Sequence, residues 1–282
     1  MSSPRDVLRE LEALGSEQTR KTYRRHGAVD PMFGVKFGDL DKLRKRLGRD
    51  QALARALWQS GNHDARVLAA MIADPAAFDL EALRAWQAES ACNLQTDTLI
   101  GHVGVHVPAA STAVAAWLDD ADESRRRAGW VLVSHLAKES QDLEDSFFAA
   151  LLPRIEREIH GAANRTREAM NWTLIAIGAR SDALAKLATA AAREIGPVAV
   201  DHGDTDCKTP DAVTYIAKAR EHRARQAAKK PAAAKTSTAA KKAAAAKKAA
   251  KPAATKKPAT KTSATAKKPA AKKSTATSAR AR

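Results

Sequence analysis

Three segments of the sequence repeat one design. ARALW ends on Trp58, LRAWQ carries Trp86 and VAAWL carries Trp117, spaced 28 and 31 residues apart. Each is an Ala/Leu-rich helical run that closes near a tryptophan, and each is followed by a short polar joint and a second helical run. Helix pairs recurring at such a period cannot bury their apolar faces singly; they must stack. Strand-like alternation is missing, with VAVDHG (residues 198–203) the one extended candidate, so the chain is expected to be all-α.

The second helices carry the more unusual residues. Arg66, Asp97, Arg127 and Arg167 fall at comparable places in them, 31, 30 and 40 residues apart. This is the signature of a HEAT- or armadillo-like α-solenoid, in which the second helices line the concave face and would bring these four side chains together. The segment ESRRRAGWVLVSHL (residues 123–136) reads as one such helix, with Ala128, Val131, Leu132 and Leu136 as its apolar stripe. Arg125, Arg126 and Arg127 crowd its first turn, where cations oppose the helix dipole. A polyanion outside the helix is the simplest expected compensation.

Local signals place the remaining elements. Residues 4–13 and 17–26 open the chain as two short helices, and Pro31, Gly34 and Gly38 make the following stretch a loop. Asp39, Asp50, Asn62 and Asp79 are expected N-caps. Asp142 precedes one long run through residues 143–159, and a closing helix runs from Asp211 to about Arg225. The helical domain is therefore expected over residues 1–225, with a disordered Lys/Ala/Pro-rich tail over 226–282.

Charge separates the two parts. The chain has a formal net charge of +16, yet residues 229–282 hold 15 lysines, 2 arginines and no acid. The 228 residues before them hold 31 basic against 32 acidic side chains. Lysine doublets of this kind resemble linker-histone-type tails and bind phosphates without reading sequence, since no aromatic residue is present to stack on bases. A solubilising linker is the alternative. Two cysteines, Cys92 and Cys207, build neither a disulfide framework nor a structural zinc site. With no signal peptide and no long apolar run, a soluble, cytoplasmic and nucleoid-associated protein is expected.

Among arginines, Asp97 is the odd residue. A carboxylate on a DNA-facing groove repels phosphate, so it is either a solvated partner for a neighbouring arginine or a stabiliser of positive charge. Cleavage of an N-glycosidic bond builds an oxocarbenium-like sugar, which a fixed carboxylate stabilises. Trp172, in TREAMNWTLIAIG, is either core or an exposed indole able to stack on a cationic nucleotide. His102 and His106 are weak metal candidates because Gly104 lies between them, and the loop holding Asp201, His202, Asp204, Asp206 and Cys207 is little better. No metal and no cofactor are expected.

The Trp-ended pairs, GVKFGDLDKL, the isolated Asp97, Arg127 in RRAGWVL and Trp172 in EAMNWTL together resemble the HEAT-repeat DNA alkylation repair family, the AlkD-like alkylpurine DNA glycosylases. The resemblance covers roughly residues 5–220. It implies hydrolysis of N-alkylated purines from double-stranded DNA by a protein that grips the backbone around the lesion. Asp97 would match the catalytic carboxylate, Arg127 the backbone-binding arginine and Trp172 one wall of the aromatic cleft. Asn93 stands where the glycosylases carry a second tryptophan, and Ile175 where they carry an arginine. On this reading Arg66, Arg167 and Asn93 join the DNA-contacting set, and a monomer is expected. Two alternatives stay open: a non-catalytic scaffold recognising bent or branched DNA or compacting the nucleoid, and a solenoid that grips a peptide.

Overall fold

Side-chain caps fix most helix starts in the computed structural model, which describes residues 3–229, with side chains through residue 225. Ser3 and Ser16 open α1 (Pro4–Leu14) and α2 (Glu17–Arg25) by accepting amide N–H bonds from the first turn. Asp50, Asn62 and Asp79 do the same for α4 (Gln51–Gln59), α5 (His63–Ile72) and α6 (Leu80–Glu89). Between them, α3 (Phe37–Leu47) begins earlier than expected: Lys36 is its cap residue without a side-chain bond, and Asp39 lies inside the first turn, where it pairs with Lys42 at 2.7 Å.

The stack continues with α7 (Asn93–His102), α8 (Ala110–Leu118) and α9 (Glu123–Glu139). The run after Asp142 is not one helix. Pro153 forces a restart, giving α10 (Asp145–Ala149) and α11 (Leu152–Glu158), because proline fits the first turn of a helix but not its interior. After α12 (Asn164–Gly178) and α13 (Asp182–Ile195), the segment holding VAVDHG is loop, and no strand occurs among the described residues. The closing helix α14 spans Ala212–Lys229. The helical unit ends at Lys229, and the expected tail, apart from its first residues, lies outside the described residues.

The pairs form two layers. The second helices α5, α7, α9 and α12 pack against one another in chain order, and α14 closes on α12. The first helices α4, α6 and α8 lie outside them, where Trp58 and Trp86 stack face to face with ring centroids 4.2 Å apart. An inner helix touches neighbours on three sides. For α9 this means burial almost all round, from Arg127 to Ser134 and at Leu136 and Ala137, rather than along one stripe. Close approach requires missing side chains: a Cβ at Gly129 would meet Trp117 and Leu118 at 3.1 Å, and one at Gly178 would meet Ile216 at 2.8 Å.

One buried acid holds the loop between α2 and α3. The Asp64 carboxylate, fully buried at the start of α5, accepts the backbone N–H groups of Phe33, Gly34 and Val35 at 2.7–3.0 Å. Tyr23 adds an O–H bond to the Val35 carbonyl at 2.6 Å. This clamp sets where Phe37 emerges. Removing it in Asp64→Ala would strand three amide groups and is expected to cost about 3–5 kcal/mol, read as a drop in the urea midpoint at unchanged slope.

Candidate functional site

The site is built from helix spacing. In α7 the residues Gln95, Thr96, Thr98, Leu99 and Ile100 are buried. Asn93, Leu94 and Asp97, three and four residues apart, face the same open side. In α9 the steps Arg127, Val131, Ser134 and Lys138 run along one face and line one small cavity with Asp97 and Trp172, about 160 Å³ in volume. Trp172, midway along α12, is 44% exposed and meets Tyr215 of α14 edge to face, with ring centroids 5.9 Å apart. The structure therefore brings Asp97, Arg127 and Trp172 to a single cavity.

Two larger cavities adjoin through Asp97. One of about 410 Å³ is lined by Tyr23, Phe37, Asn93, Asp97, Arg127 and Glu168 among others. The other, about 390 Å³, has Phe37, Leu94, Asp97, His102 and His135 in its walls. Asp97 thus stands at the junction of a trough, with an exposed aromatic ring to either side. Trp172 is on the α12 side and Phe37, 45% exposed, on the α3 side.

The charge at the centre is paired. Both terminal nitrogens of Arg127 donate to the two oxygens of Asp97, one of them at 3.0 Å. The geometry is the bidentate fork that makes arginine–carboxylate pairs strong. The carboxylate remains 41% exposed while the guanidinium is only 7% exposed. Burial opposes the arginine's charge, but the field and hydrogen bonds of Asp97 outweigh it and hold its pKa above the ordinary arginine value. Both terminal nitrogens of Arg127 are thus engaged by Asp97.

The arginine cluster at the start of α9 is likewise compensated from within. The N-cap Asp122 and first-turn Glu123 favour the helix dipole, and Arg125 pairs with Asp120 at 2.7 Å. No external polyanion is required for that helix to form. Arg66 and Arg167 do not join the trough either. Arg66 binds the Trp58 and Glu89 carbonyls and lies over the Trp58 ring, and Arg167 binds the Ala162 and Ala199 carbonyls. Both staple neighbouring segments. Ile175 is buried beneath the surface of α12.

Several wall residues had no place in the sequence reading. Lys138 follows Arg127 by three helical turns, so its position on the same face was available from spacing alone. Burial lowers its pKa, with Glu139 and Asp97 acting the other way. Phe37 and the pair Arg165–Glu168, 3.1 Å apart, could not be placed without the fold. At the two weak metal candidates, His106 lies 3.9 Å from Glu139, the Asp201 carboxylate accepts the Gly203 N–H at 2.8 Å, and His202 lies 3.0 Å from the Thr209 hydroxyl. No group of three or more His, Cys, Asp or Glu residues that could hold a metal occurs among the described residues.

Comparison with known proteins now bears on this trough. Residues 7–216 match the DNA alkylation repair enzyme family. The chain belongs to that family. Within it, the chain is 32% identical over 217 residues to the uncharacterized protein Lin0241 of Listeria innocua, covering 75% of this chain and 94% of that one. The uncharacterized protein Lmo0209 of Listeria monocytogenes is similar to the same extent. Among solved structures, the chain superposes with a TM-score of 0.71 and 28% identity on a member of a new family of proteins related to the HEAT-like repeat DNA glycosylases with affinity for branched DNA structures. The match covers 78% of this chain and 95% of that one. The fold is therefore that of the HEAT-like repeat members of the family.

Burial disfavours the charged form of three histidines. Burial lowers the pKa of His63, His102 and His135 below the ordinary 6.5. Below about pH 6.5 the unfolded chain then binds more protons than the folded one, so stability must fall as pH falls through that value. Urea midpoints are expected to be lower at pH 5.5 than at 7.5, and His63→Gln, which keeps a neutral polar group beside Gln95, is expected to lessen the difference.

Proposed function

We propose that the trough binds double-stranded DNA and hydrolyses the N-glycosidic bond of an N-alkylated purine. The observation that carries this reading is the junction at Asp97: a fixed, partly exposed carboxylate flanked by two exposed aromatic faces. The alkylated purine is already cationic, so its bond to C1′ breaks with the electron pair passing to the base, which leaves neutral. Positive charge then develops on C1′ and the ring oxygen of the sugar. Asp97 stabilises that charge, and water adds to C1′ and loses its proton to the carboxylate or to solvent.

Arg127 is the positioning residue in this scheme, holding the carboxylate in one orientation at some cost to its net field. Trp172 and Phe37 offer faces to the damaged nucleotide, so Phe37 supplies an aromatic wall that Asn93 does not. No cofactor is required. Phosphates would be met by Lys138 and Arg165 along the trough, while residues 230–282 add attraction that is blind to sequence. The protein acts on this reading as a monomer at the nucleoid; no helix among the described residues is long and apolar enough to cross a membrane.

The test is release of free methylated purine from methylated duplex DNA. Wild type is expected to exceed the spontaneous rate, Asp97→Asn to lose about 100-fold, and Phe37→Ala about tenfold. A wild-type rate equal to the spontaneous one removes the glycosylase assignment.

A second reading is favoured by Asn93 and by the branched-DNA affinity of the solved relative's family: a non-catalytic scaffold that recognises DNA structure. It predicts a preference for branched over plain duplex that survives both Asp97→Asn and removal of residues 230–282, with no base released. Removing those residues is expected on either reading to weaken binding to all duplexes alike and to flatten its dependence on salt.

A further inference from the structure

A further cavity lies beyond Trp172, outside the trough. It measures about 510 Å³ between the end of α9, α12 and α14, a size ordinary for a small-ligand site. Its floor is apolar, formed by Ile175, Ala176, Ala179 and Ala219, and Trp172 and Tyr215 wall it edge to face. Lys138, Lys218 and Arg223 stand in its lining, and no acidic side chain does. The Lys218 ammonium lies 5.0 Å from the centroid of the Tyr215 ring.

A flat apolar group carrying a negative charge fits such a lining. The chain's own residues 230–282 do not: they hold lysines and arginines without one acid, and the cations of the pocket would repel them. A purely apolar ligand would leave Lys138 and Lys218 without an anion, while Arg223 already donates to the Ala179 carbonyl at 3.3 Å. A nucleotide satisfies both halves, since every base has a face that stacks on an aromatic ring and every phosphate seeks a lysine.

We propose that this pocket takes one unpaired nucleotide of a DNA strand that departs from the duplex in the trough, its base against Trp172 and Tyr215 and its phosphate on Lys138 and Lys218. Trp172 and Lys138 line both this pocket and the Asp97 cavity, so a strand crossing the indole passes from one into the other. Paired bases cannot enter, because their faces are covered by their neighbours. The pocket therefore reads the absence of pairing. The inference rests on the DNA-binding reading above and deepens it.

The experiment compares the full chain on a blunt duplex and on the same duplex with a short single-stranded flap bearing 2-aminopurine next to the junction. The expected result is at least tenfold tighter binding of the flap duplex and strong quenching of the 2-aminopurine as it stacks. The lysine-rich residues are the same in wild type and variants, so a change in the ratio between them reports the pocket. Tyr215→Ala and, independently, Lys218→Glu are expected to bring the ratio to within about twofold of one, with Tyr215→Ala restoring the 2-aminopurine emission and leaving blunt-duplex affinity unchanged. Tyr215 and Lys218 are both exposed, so neither change removes core packing. A flap preference that persists in both variants, or unquenched 2-aminopurine at saturation, overturns the proposal. If base release or blunt-duplex binding stands while the flap preference is missing, this inference alone fails; if no DNA is bound at all, the functional reading falls with it.

Discussion

A buried guanidinium cannot be left without a partner, and that constraint organises the centre of this protein. Arg127 sits inside the layer of second helices, where an unpaired charge would cost several kcal/mol. Its hydrogen-bonded partner is Asp97 on the adjacent helix, held by both terminal nitrogens, with the Glu168 carboxylate adding its field. The pair fixes the register of α7 against α9. Because the arginine is buried and the carboxylate is half in solvent, it also fixes an acid at the surface of the trough. One contact does two things: it holds two helices together and aims the group that the proposed chemistry needs.

The aromatic walls depend on separate anchors. Trp172 is placed by α12, whose packing on α9 is tied by the Thr173 hydroxyl donating to the Trp130 carbonyl at 2.7 Å. Phe37 is placed by the Asp64 clamp, at the far end of the stack. An acid in α5 thus determines where a ring meets a carboxylate in α7. Neither anchor touches the trough, yet loss of either would separate a wall from Asp97.

Much of this was legible in the sequence where the cause is local. Asp50, Asn62 and Asp79 were readable as caps because a cap needs only its own first turn, and the Trp58, Trp86 and Trp117 pairs revealed the repeat because stacking demands it. Lys36 failed to announce the start of α3 because it makes no capping bond. Burial of α9 on all sides was hidden as well, since a stripe of apolar residues does not reveal how many neighbours a helix has. Arg66, Arg127 and Arg167 share a position in their repeats, yet only Arg127 meets a carboxylate in the trough; the others meet backbone carbonyls at segment ends. Which partner an arginine finds depends on what the next repeat places above it, and spacing does not carry that.

The distribution of charge then assigns different work to different parts of the chain. Residues 1–228 are close to neutral, so the excess positive charge lies in the residues beyond them, whose lysines on the proposed reading attract any polyanion equally. Attraction of that kind raises the time spent on DNA but cannot distinguish damaged from sound, or branched from paired. On the proposed reading, discrimination arises where cations are few, along the line from Arg165 through Lys138 to Lys218, with Phe37, Trp172 and Tyr215 between them. A near-neutral body makes this possible: were it strongly basic, every duplex would adhere to every face, and the trough would lose its advantage over the rest of the surface.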